Sequence, residues 1–234
     1  MATAPPSYTP VATLDEATRS EFLSRVYQHL LAAVVAFVAF EAFLINLGIA
    51  REIYELVSGG GGRWLIVLGG FMVVNWLATN AAHDILNPSR QYAGLFGMAA
   101  GEALIFAPFL HYVFEVEGGG TTTVLAAAVI TAIGFAGLSA VALVTRADLS
   151  FLRPILLWTG VCALVLIVSA LLFGFELGVW FSVAMIALAG GSILYQTQTI
   201  MRRYPAEAYV GAAVQLFASV MLLFWYVLRL LSRR

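Results

Sequence analysis

The chain has 234 residues, of which 62% are hydrophobic and only 11% charged, with a net charge of -1 and a mean hydropathy of +0.93. A water-soluble domain of this length has about a quarter of its residues charged and about half apolar, so a soluble globule is excluded. A bilayer core about 30 Å thick takes roughly 20 apolar residues per helix, so the apolar total, roughly 145 residues, corresponds to about seven crossings.

Residues 1–25 are polar, with Pro5, Pro6 and Pro10 ahead of Asp15, Glu16, Arg19, Glu21 and Arg25. They lack the basic start, short apolar stretch and small-residue cleavage site of a secretory signal, and read as a cytoplasmic tail. Residues 26–234 read as one membrane domain. Its apolar runs predict spans at about 27–49, 64–83, 91–114, 122–144, 155–175, 178–200 and 208–231. Ser58 to Arg63 breaks the first pair, Asn87-Pro88-Ser89-Arg90 the second and Glu115 to Gly120 the third. Thr145 to Pro154, Gly174 to Gly178 and Arg202 to Glu207 separate the remaining spans. Connections this short imply an up-and-down all-α bundle.

All 12 basic residues are arginines. Without a lysine the chain has no amine for a retinal Schiff base, and its near-neutral charge offers no broad surface for nucleic acid. Cys162 is alone, so no intramolecular disulfide forms. With a cytoplasmic amino terminus, Arg19, Arg25, Arg90, Arg146, Arg153, Arg202 and Arg203 lie inside. Arg51, Arg63, Arg229, Arg233 and Arg234 then lie outside, so the inner side carries the excess. A seventh segment that re-entered rather than crossed would move the last three inside. Two of the outer loops carry only acids, Glu115 with Glu117 and then Glu176. Such mouths concentrate cations or are ordinary solvated turns.

An ionisable group at membrane depth is costly unless it faces protein or water. Glu41 and Glu102 are the two acids so placed. Each is a protonatable gate or cation ligand, or else a neutral acid sharing its proton with a backbone carbonyl. Ala93, Gly97 and Gly101 form a small-residue stripe that allows close helix approach, and Pro108 is expected to kink the same helix. Asn75, Thr79 and His83 share one face of the second span, with Asn80 and Asp84 beside them. They line a wet vestibule or hydrogen-bond to neighbouring helices. Ser192, Tyr195, Gln196, Gln198 and Thr199 in the sixth span, with Gln215 and Ser219 in the seventh, predict a polar contact between those two helices. Hydrolysis is not expected. The histidines are His29, His83 and His111, none follows Ser139, Ser169, Ser182 or Ser192, and no pair of histidines brackets a glutamate at metalloprotease spacing. No cofactor is expected, and any metal ligands stay undefined.

The chain resembles the transmembrane Bax inhibitor motif family, also called the Bax inhibitor-1 family, in its bacterial branch. Arg25-Val-Tyr-Gln-His-Leu30, Thr145-Arg-Ala-Asp-Leu-Ser150, Leu194-Tyr-Gln-Thr-Gln198 and Ala212 to Phe224 with Leu228-Arg229 carry the likeness in collinear order. Gly101 and Pro108 fit its third-span pattern. The resemblance implies a multi-pass protein of the bacterial cytoplasmic membrane, with six helices around a central seventh and a calcium leak responsive to pH. In that family two aspartates, in spans six and seven, share a proton as a latch. Here those positions are Gln196 and Ser219, which do not titrate in this range, and no arginine lies between Trp64 and His83. The resemblance therefore implies either a calcium-permeable protein without the aspartate latch, or a non-conducting regulator that binds a membrane partner such as the protease FtsH.

Overall fold

In the computed structural model, which describes residues 9–59, 61–116, 120–145 and 147–232, Asp15 starts the first long helix. Its carboxylate accepts the Thr18 N–H at 3.1 Å and the Thr18 hydroxyl at 2.7 Å, an N-cap that satisfies a helix-end donor. These bonds hold the Asp15 carboxyl below its ordinary value. Helix α1 runs Glu16–Asn46, so it begins about three turns before the expected first crossing. The expected tail over 1–25 is therefore helical from Glu16 on, because hydropathy marks where a helix meets lipid and not where it begins. Ahead of it, the Val11 N–H donates to the Tyr204 carbonyl at 2.8 Å, Pro10 pairs with Pro205, and Val11 is fully buried.

Gly48, in the left-handed region at φ 75°, turns the chain into α2 (Ile49–Ser58). No helix is expected there from hydropathy. The segment is amphipathic, with an exposed Arg51–Glu55 pair at 2.8 Å, and it packs its buried Ala50 side toward α4. Then follow α3 (Gly61–Ala82), α4 (Pro88–His111), α5 (Gly120–Val144), α6 (Leu152–Phe173), α7 (Val179–Arg203) and α8 (Tyr209–Leu231). The Asn87 side chain caps α4 through the Arg90 N–H at 3.2 Å, with Pro88 in the first turn where its missing N–H costs nothing. Pro108 inside α4 removes a helical hydrogen bond, and the helix then widens into a π turn over Tyr112–Val116. Seven of the helices are long and apolar enough to cross a membrane.

Helix α8 is the axis of the bundle. It packs against α1, α3, α4, α5 and α7, and its buried residues run from Val210 to Leu228 on all sides. Of the six helices expected around it, these five pack directly against it, while α6 docks mainly on α7 and α3. At 23 residues α8 is about 35 Å long, enough to cross the bilayer rather than re-enter. Arg229 consequently lies at the end of the bundle opposite the amino terminus. Of the residues used above for tail, topology and acidic loops, 1–8, Glu117, Arg146, Arg233 and Arg234 lie outside the described residues.

Of the expected stripe of Ala93, Gly97 and Gly101, only Gly101 takes part in the close approach between α3 and α4. Ala93 is exposed and a Cβ on Gly97 would meet nothing within 4 Å. A Cβ on Gly94 would lie 2.5 Å from both the Ala78 carbonyl oxygen and the Ala82 nitrogen. One on Gly101 would lie 2.8 Å from Val74 Cγ1. Gly94 and Gly101 are seven residues apart, two helical turns, and so face α3 together. Four-residue spacing finds several such stripes on this helix, and only packing selects one.

Candidate functional site

Alternating crossings make α1, α4 and α8 parallel, and aromatic contacts mark a common level in them. Phe37 meets Phe106 edge-on at 5.2 Å, and Phe106 stacks on Phe224 at 5.5 Å. Glu102 and Ser219 lie four and five residues before that level, hence at the same depth. The contact of Gly101 with Val74 brings Asn75 of the antiparallel α3 to that depth as well. From α7, Gln196 joins them, its Oε1 accepting the Ser219 hydroxyl at 2.9 Å. One polar layer thus crosses the bundle, with Asn75, Glu102, Gln196 and Ser219 contributed by four helices. The expected contact between the sixth and seventh spans is the Gln196–Ser219 bond.

A cleft of about 1130 Å³ descends to this layer from the end opposite the amino terminus, between α3, α4, α6 and α8. Glu176, Tyr112 and Arg229 line its mouth, Trp64, Phe71 and Trp225 line its walls, and Asn75, Glu102 and Ser219 line its inner part. Arg229 donates to the Leu177 carbonyl at 3.0 Å and lies 6.0 Å from the Tyr226 ring. Glu102 is only 5% exposed and makes no hydrogen bond with a described residue. Its carboxyl is therefore a buried polar group whose available partner is whatever fills the cleft.

Glu41 is also buried, and neither carboxyl oxygen has a partner among the described residues. It lies one turn beyond Phe37, about 12 Å along the axis from Glu102. It does not line the cleft. The two glutamates, equivalent by hydropathy, are therefore separated by the packing.

The remaining candidates lie toward the amino-terminal end, outside the cleft. His83 Nδ1 is 2.8 Å from the Thr79 carbonyl, which only accepts, so Nδ1 carries a hydrogen. His83 Nε2 lies 3.2 Å from the Tyr204 hydroxyl, and that hydroxyl donates to Gln215 Oε1 at 2.7 Å. The imidazole is fixed from the other side by Gly211, where an added Cβ would come within 2.9 Å of the ring. Thr79 makes a longer 3.4 Å contact to Asn75 Oδ1. His83 thus joins α3 to the α7–α8 connection, Thr79 bonds within α3, and Asn75 lines the cleft. Asp84, beside it, pairs with Arg90 at 2.8 Å.

Tyr204 and Gln198 hold this region together, and neither role is evident from the sequence. Tyr204 sits in the connection between α7 and α8, bonding His83 and Gln215 by its hydroxyl and Val11 by its carbonyl. Gln198 accepts the Leu149 N–H at 2.8 Å and donates to the Ala147 carbonyl at 2.7 Å, clasping the loop between α5 and α6. Two segments that each looked like a family motif are thus one contact. In the same loop the Ser150 N–H and hydroxyl donate to Asp148 at 3.0 and 2.9 Å and hold its carboxyl below the ordinary range.

The family described as "Inhibitor of apoptosis-promoting Bax1" matches residues 19–234. Two uncharacterized proteins of Neisseria meningitidis, one from a serogroup A strain and one from a serogroup B strain, are each 25% identical over 223 residues. The alignment covers 94% of this chain and 93% of theirs.

Proposed function

The chain belongs to the Bax inhibitor family of membrane proteins, and from that premise we propose that it is a cation-permeable protein, with calcium as the permeant ion. The carrying observation is Glu102, a carboxyl at the inner part of a cleft open at one end, with no hydrogen-bond partner among the described residues. At membrane depth such a group marks an ion pathway, and the acidic Glu176 at the mouth favours cations. At the depth of Glu102 the Ser219–Gln196 bond, and inward of it the His83–Tyr204–Gln215 chain, close the bundle. The arrangement corresponds to a closed pathway. The cytoplasmic location of the amino terminus belongs to the same proposal and is supported by the arginine excess at that end, and a bacterial inner membrane as the site of action is supported by the bacterial relatives.

The test is calcium flux into liposomes loaded with a calcium dye. The wild-type protein should leak, and Glu102→Gln should reduce the leak about tenfold, the loss of one buried countercharge. Unchanged flux in the variant removes Glu102 from the pathway. No flux in the wild type leaves the family's other reading, a regulator that binds a membrane partner such as FtsH. Under that reading the handle is shorter than the sequence implies, because Val11 is buried against Tyr204.

The leak should change little between about pH 6 and 8, since an amide and a hydroxyl replace the aspartate latch. Asp15 and Asp148 do not alter this. Their carboxyls are held low, so what their charged forms contribute is complete above the ordinary carboxylate value and is lost only as pH falls through the lowered one. That window lies well to the acid side. A steep change near neutrality in the flux assay would instead mean that His83 or a glutamate has taken the latch's place.

A further inference from the structure

We propose that the cleft between α3, α4, α6 and α8 is a binding site for lipophilic organic cations, with Glu102 as the counter-charge and the aromatic walls as the recognition surface. The chemistry of the lining selects this class. At about 1130 Å³ the cleft has the size of a site for an organic ligand rather than a bare metal ion. Trp64 and Phe71 of α3, Phe106 of α4, and Trp225 and Tyr226 of α8 line it together. Aromatic faces carry negative electrostatic potential and attract large, weakly hydrated cations.

Glu102 supplies the single acidic group in the inner part of this cleft, and it is buried without a hydrogen bond to a described residue. An ammonium or phosphonium centre would satisfy it without needing further oxygen ligands. A tightly held calcium ion would need six to eight oxygens, and among the described residues no group of three or more His, Cys, Asp or Glu is placed to hold a metal. Calcium would therefore pass through hydrated, whereas an organic cation would stay.

The charged groups at the mouth oppose one another. Glu176 attracts a cation, and Arg229 is turned to the Leu177 carbonyl and the Tyr226 ring. Binding rests on the cleft alone. Only its consequence, that an occupant blocks the leak, rests on the permeation reading.

The experiment is equilibrium dialysis of tetraphenylphosphonium against the full-length protein in nanodiscs. Saturable binding of one cation per chain is expected. Glu102→Gln should weaken it about tenfold or more and Trp64→Leu by about threefold or more, while Glu102→Asp, which keeps the charge, should bind more tightly than Glu102→Gln. Should Glu102→Gln fail to give a monodisperse protein, Glu102→Asp and Trp64→Leu still discriminate. The neutral triphenylphosphine oxide should not compete. Unsaturable uptake, equal binding by wild type and Glu102→Gln, or displacement by the neutral compound overturns the proposal. Saturable binding in a preparation without calcium leak supports it while removing the permeation reading. A leak with no saturable binding removes this inference alone.

Discussion

Gly94→Ala is expected to cost the folded bundle about 3 kcal/mol, whereas Gly97→Ala, three residues along the same helix, should stay within about 0.5 kcal/mol of wild type. The new Cβ at position 94 would stand 2.5 Å from two backbone atoms of α3, the Ala78 oxygen and the Ala82 nitrogen. Backbone has no rotamer by which to yield, so α3 and α4 must separate. At Gly97 the space is open. Gly101→Ala falls between them, because the atom it meets is the tip of the Val74 side chain. Separation at Gly94 would also move Asn75 away from Glu102, since the same helix pair carries both. Thermal midpoint and the fraction of monodisperse protein after detergent extraction measure the effect. Equal behaviour of the Gly94 and Gly97 variants would show that α3 and α4 do not pack as described.

The second large effect is expected at the amino-terminal end of the bundle. Tyr204→Phe removes the hydroxyl whose hydrogen goes to Gln215 Oε1 and which lies 3.2 Å from His83 Nε2, so the Gln215 oxygen loses its donor. An orphaned, partly buried polar group costs about 1 to 3 kcal/mol, so the variant should lose roughly that much. The Tyr204 carbonyl, which holds the Val11 N–H, is untouched by this change. Docking of residues 10–14 should therefore persist in Tyr204→Phe. Burial, with Tyr195 nearby, pushes the Tyr204 phenol up to about 12, so its hydrogen is present throughout the physiological range. His83→Leu and Tyr204→Phe should combine with less than additive loss, because both break the same chain. Additive losses in a double-mutant cycle of unfolding free energies would mean that the two side chains act independently.

The spans were legible because the bilayer imposes a local rule: each crossing needs a continuous apolar stretch of fixed length, whatever its neighbours are. What lies beyond the lipid obeys no such rule. The first three turns of α1, which include Arg19, Glu21 and Arg25, are polar and helical together. Helix α2 has an apolar face too short for a crossing, and its Arg51 and Glu55 disguise it as a loop. Polar residues at depth were visible individually, and the contact of Gln196 with Ser219 followed from their places on adjacent spans. The bond between His83 and Tyr204 did not, because 121 residues separate them and Tyr204 stands in a connector.

The sequence by itself determined the solvent, the number of crossings and the family, all properties of residue identity and order. Tertiary structure decided which of the two buried glutamates meets a cleft, which glycines bring α3 and α4 together, and which polar bonds lie at and beyond the depth of Glu102. Hydropathy records depth along a helix axis and nothing about rotation around it. Which way Glu102 faces depends on that rotation, which only the packing of α4 against α1, α3 and α8 fixes.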